Sequence, residues 1–208
     1  MSDAPALPTL RFTLPGEWAE VPLHEPEQAR AAIRRLVDSA TGRTDELATV
    51  RDGLRRRLFA SVEGVIGGEA QSLHVALDLV EDVPLPVSFT VFLLDQRMTP
   101  AVGEDPAAVL DVLARGLASA SVGMAPHRVG EVALRASSLS TTAEGLPSLR
   151  VDYWLPVPAT KRVALVSFST VLAGIAEEMT VLFDSIVLGT RWQESARTGE
   201  DEPVTLPA

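Results

Sequence analysis

Hydrophobic positions recur with a period of two in some stretches and of three to four in others, and the clearest switch lies near the end of the chain. Val163, Leu165 and Ser167 alternate with Ala164, Val166 and Phe168, as a strand requires. The spacing then becomes Leu172, Ile175, Met179, Leu182 and Ile186, which is helical. This predicts a strand pair over 149–155 and 162–170, with a helix over 172–192 laid back across it. Glu177 and Glu178 fall on the outward side of that helix, where solvation accounts for them better than acid–base work.

The same patterns divide the rest of the chain. Phe12 and Leu14 alternate with Arg11 and Thr13, Pro15-Gly16 supplies a turn, and Trp18 with Val21 suits a return strand, which predicts an N-terminal hairpin. Pro26 fits a first helical turn, and Ala29, Ala32, Ile33, Leu36 and Val37 mark one face of a helix ending near Gly42. Thr44 offers an N-cap for a second helix with the stripe Leu47, Val50, Leu54, Leu58 and Val62, stopped near Gly64. From Leu73 the period returns to two, with His74, Ala76 and Asp78 on an exposed face. Val83-Pro84-Leu85-Pro86 interrupts the ladder, and a strand resumes over 87–94. Asp105-Pro106 opens a third helix over 107–118, and 128–139 is a weaker strand.

No linker or repeat separates these segments, so the expectation is a leader at 1–9, a single α+β domain at 10–192, and an acidic tail at 193–208. Clustered hairpins favour a mostly antiparallel sheet of six or seven strands with helices on its faces, closed by the C-terminal helix.

Composition narrows the function classes. An apolar fraction of 46% without a long apolar run suits a globular domain and not a membrane span. The first ten residues lack a basic region followed by an apolar one, which makes a cytoplasmic location the expectation. There is no cysteine, which excludes disulfides and a thiolate nucleophile. A net charge of -10 argues against binding a phosphate backbone, although eight of the eighteen basic residues lie between Arg30 and Arg57.

Phe12-Thr13-Leu14-Pro15-Gly16-Glu17-Trp18 and the closing Leu182-Phe183-Asp184-Ser185-Ile186 with Arg191-Trp192 resemble the Mog1/PsbP-like α/β/α sandwich group. The resemblance covers most of the chain as topology and about thirty residues as motif. It implies a protein that is not an enzyme and works by binding another protein.

Catalytic constellations are scarce. His74 and Asp78 share a strand face but stand about 13 Å apart along it, and His24 and His127 follow the pattern of loop residues. No serine occupies a nucleophile elbow, and Gly64, Gly67 and Gly68 lack the spacing of a phosphate loop. No cofactor or metal site is expected. The leading expectation is therefore an adaptor or chaperone for another protein, with Trp154, Arg51 and Arg55 as partner-binding residues. Trp154 shares a strand side with Asp152 and would be an exposed aromatic anchor, while Arg51 and Arg55 flank the apolar stripe of the second helix; the sequence does not place the two on one face. The alternatives are a small-molecule binding module between sheet and helices, or a hydrolase or transferase using His74 or His127.

Overall fold

The order of strands decides which side chains meet on each face of the sheet. A computed structural model describes residues 8–41, 48–78, 85–94, 105–120, 126–142 and 144–193. The strands are β1 (Thr9–Arg11), β2 (Glu17–Pro22), β3 (Ala70–Asp78), β4 (Val87–Leu93), β5 (His127–Val129), β6 (Ala133–Thr141), β7 (Pro147–Pro156), β8 (Val163–Thr170) and β9 (Arg191–Gln193). The helices are α1 (Pro26–Thr41), α2 (Ala48–Val62), α3 (Pro106–Ala120) and α4 (Ala176–Leu188). Seven strands form one antiparallel sheet in the order β2-β3-β4-β8-β7-β6-β5, and β1 pairs with β9 in a separate ribbon. The fold is α+β, as expected.

Directly opposed residues of an antiparallel sheet point to the same side, so the registers define its two faces. Glu20, His74, Phe89, Phe168 and Val151 form one row across the sheet. Phe168 on this face stacks on Phe183 of α4 at 4.5 Å between ring centroids, and Met179, Ile186 and Val187 of the same helix are buried beside it. The opposite face carries Val21 and Leu73, which pack against Ala29, Ala32 and Ile33 of α1. On the same face Val163 packs with Val109 of α3.

Several sequence expectations are corrected. Residues 9–11 do not fold back on β2; they pair with the C-terminal strand, Leu10 opposite Trp192. The last helix stops at Leu188 and Trp192 belongs to β9, because the chain must reach this pairing. The strand expected over 128–139 is a hairpin, turned at Gly130, whose φ of +54° suits glycine. A Cβ there would also stand 3.1 Å from Leu188 Cδ2. Ile175, expected inward, is exposed in a 3-10 turn that precedes α4, and Val50 and Leu54 of α2 are exposed too. Thr9 and Gln193, assigned to leader and tail, are in strands. Residues 1–7 and 194–208, the Thr44 cap and Leu47 lie outside the described residues.

Other expectations hold. The strands at 149–155 and 162–170 and the turn after Pro26 are observed, and the Asp105 carboxylate accepts a 3.2 Å hydrogen bond from the Ala108 amide at the start of α3. No helix among the described residues is long and apolar enough to cross a membrane.

Candidate functional site

α4 covers the β8-β7-β6 part of its face, and the β1-β9 ribbon stands over the β2-β3-β4 part. Between ribbon and sheet is a cavity of about 490 Å³, within the size range of small-molecule sites. Its floor is the period-two series Ser72 and His74 of β3 with Val91 of β4, and its wall comes from Trp18 and Glu20 of β2. Leu10, Phe12 and Trp192 enclose the other side.

Each of these residues is placed by a local cause. A bulge in the β3-β4 register between Ala70 and Ser72 leaves Gln71 over, so that Ala70 stays in the α1 core while Ser72 joins His74 on the cavity side. Trp18 is steadied by its indole N–H, which donates to the Pro15 carbonyl at 2.7 Å across the turn at Gly16. The ribbon is tied by Arg11 Nε donating to Gln193 Oε1 at 3.0 Å, and by Thr13 Oγ1 donating to the Gly189 carbonyl at 3.4 Å.

His74 is the centre of the site and is buried, contrary to the exposed face expected for it. Its ring lies parallel to Phe89 at 4.4 Å and tilted against Phe12 at 5.6 Å. Burial lowers its pKa to about 4, so the ring is neutral at physiological pH. Ser72 Oγ and His74 Nε2 are 2.9 Å apart and share a hydrogen bond whose direction follows the tautomer. Arg11, Glu20 and His24 are the charged or titratable residues that complete the lining.

The sequence signal for this pair was Ser72-x-His74, which puts both side chains on one strand face. The neighbouring Phe89, Trp18 and Trp192 come from strands far apart in the chain and could not be found by spacing. Asp78 closes β3, and its side chain lies outside the description. His127 is exposed in β5, at the opposite edge of the sheet, so the structure does not join it to His74. Among the described residues no group of three histidine, aspartate or glutamate side chains could hold a metal ion.

The three expected partner-binding residues are not one exposed patch. Trp154 is half-buried beneath α3 with Val112 and Leu113, because β7 presents it to the helix-covered side of the sheet. Arg55 is half-buried and forms an ion pair with Asp38 of α1, while Arg51 lies farther toward the N-terminus of α2. α3 packs on β6 and β7, and α1, which carries α2, packs on β2 at the other edge.

No family model matches the chain, and no curated protein matches it. Among solved structures, one from Bacteroides thetaiotaomicron is similar with a TM-score of 0.39 and 12% identity over 60% of this chain. The chain spans 39% of that protein's length. The second is LpqN of Mycobacterium tuberculosis, described as involved in cell envelope biogenesis, with a TM-score of 0.40 and 14% identity. That match covers 92% of this chain and 87% of LpqN.

Proposed function

We propose that this protein is a binding module for a small, uncharged amphipathic molecule held between the β1-β9 ribbon and the sheet. The observation that carries the reading is the placement of Trp18, Phe12 and Trp192 around a buried, neutral His74 hydrogen-bonded to Ser72. Aromatic walls favour an apolar body, and the Ser72–His74 pair supplies one oriented donor and acceptor for a hydroxyl or carbonyl. The desolvation that keeps His74 uncharged also disfavours a ligand charge at the floor.

Because two tryptophans line the cavity, binding can be followed by intrinsic fluorescence. 2-Naphthol, an aromatic body with one hydroxyl, should quench Trp18 and Trp192 saturably, and Ser72→Leu should weaken it while the circular dichroism stays unchanged. Quenching that is linear in probe concentration, or unaltered in this variant and in Trp192→Ala, would remove the proposal.

The 2.9 Å Ser72–His74 distance also favours a second reading, acyl transfer. Ser72 Oγ would attack an ester carbon, its proton passing to His74 Nε2 as the alkoxide or phenolate leaves. A burst of p-nitrophenolate from p-nitrophenyl acetate, absent in Ser72→Ala, is the result this reading requires. His74 Nδ1 has no hydrogen-bond partner among the described residues, and a pKa near 4 makes the ring a weak base. Binding is therefore the better supported of the two.

Membership of the Mog1/PsbP-like group is a separate proposal. It is supported by helices on both faces of an antiparallel sheet and by the packing of Phe12 and Trp18 against Phe89.

A further inference from the structure

We infer that the groove between α1 and α2 docks an acidic peptide segment of a partner protein. This site is independent of the ribbon cavity, since α1 packs on the opposite face of the sheet. The groove has a volume of about 340 Å³, with Ile33 and Phe59 as its apolar floor and Arg30, Arg34, Arg55 and Arg56 around it. Glu63 is the acidic residue of the lining.

Charge complementarity selects the occupant. The chain carries a net charge of -10, yet eight of its eighteen basic residues fall between Arg30 and Arg57, and four of those eight meet at this groove. Their existing partners leave capacity. Arg34 is exposed and has no ion pair among the described residues, and the pairs Arg30–Glu27 and Arg56–Asp52 are solvent-exposed, where such pairs contribute little. Arg55 is held by Asp38, but its Nε is buried without a hydrogen-bond partner among the described residues. The Arg55 side chain as a whole is 34% exposed, so its guanidinium fork can still meet an incoming carboxylate.

The floor distinguishes a peptide from a free anion. Arg30 lies over the Phe59 ring at 5.1 Å, so cation and aromatic surface form one platform. A bare phosphate could use the guanidinium groups and would leave the partly exposed Phe59 uncovered. A segment with an aliphatic residue flanked by glutamates satisfies both, with the apolar side chain on Phe59 and carboxylates on the arginine forks.

The test is fluorescence anisotropy on the full chain with a fluorescein-labelled peptide that repeats Leu-Glu-Glu. Saturable binding is expected, weakened by added salt and weakened about tenfold or more by the double substitution Arg34→Glu and Arg56→Glu. An equal melting temperature for this variant shows that charge and not unfolding is responsible; should it fail to fold, Arg34→Ala alone is expected to weaken binding severalfold. The inference is overturned if the peptide does not bind, if a Leu-Lys-Lys peptide binds equally, or if the folded arginine variants keep full affinity. Capture of the chain by inorganic phosphate or by phosphatidylglycerol vesicles, in preference to the peptide, would overturn it as well.

Discussion

The Tyr153 hydroxyl of β7 donates a 2.7 Å hydrogen bond to Asp184 Oδ1 of α4, and Arg135 of β6 pairs with the other oxygen of the same carboxylate. This is the polar tie between the sheet and the helix that closes its face. Burial, and then the hydrogen bond to Asp184, push the Tyr153 phenol far above its ordinary range, so it remains a donor at any physiological pH.

Asp184→Ala should therefore destabilise the protein more than Tyr153→Phe. The first leaves a half-buried guanidinium and a buried hydroxyl without their acceptor, at a cost of about 2 to 3 kcal/mol after allowance for partial exposure. The second removes one hydrogen bond and leaves the carboxylate with Arg135, at about 1 kcal/mol. Urea midpoints for the two variants check the order, and a reversed order would show that Asp184 does not hold the helix.

His74 makes stability depend on pH in a definite window. The folded pKa of about 4 lies below the ordinary 6.5, so between these values the unfolded chain binds a proton that the folded chain does not. The contribution is fully present above about 6.5 and is lost as pH falls towards about 4, reaching on the order of 3 kcal/mol. Glu20 of β2 and Arg11 of β1 face the same cavity and are common to the wild type and His74→Leu, so comparing the two isolates the contribution of His74. The wild type should lose more stability than His74→Leu between about pH 7 and about pH 4.5. Parallel losses in urea titrations would place the proton elsewhere.

Trp154→Ala should lower stability by about 2 kcal/mol, since it removes half-buried aromatic area from under Val112 and Leu113 of α3. A melting temperature equal to the wild type would show that α3 does not rest on this ring. Any affinity change in this variant should scale with its loss of stability, unlike the effect of Arg34→Glu.

Gly130→Ala should cost about 1 to 2 kcal/mol through the positive φ at the β5-β6 turn. Leu188 Cδ2 would be the near neighbour at 3.1 Å, but this side chain is 54% exposed and can move aside. Backbone strain thus outweighs the clash, and adding Leu188→Ala should recover little of the loss. Substantial recovery in chemical denaturation would assign the effect to packing.

Elements whose pattern is local are legible in the amino-acid order alone. The switch from Val163, Leu165, Ser167 to helical spacing located β8 and α4, and the Pro26 and Asp105-Pro106 signals located α1 and α3, because caps and periodicity act over one or two turns. Alternation also set His74 on the side of β3 opposite Leu73 and gave that side to solvent, because a period of two does not reveal which side will be covered. Tertiary structure decided that. Pairing between Leu10 and Trp192 closes nearly the whole chain and brings the ribbon over His74, and no local preference of either segment encodes a partner so distant. Long-range packing overturned the exposures expected of His74, covered by the ribbon, and of Trp154, covered by α3: alternation assigns residues to sides, and only the packed helices and ribbon determine which sides lose their water.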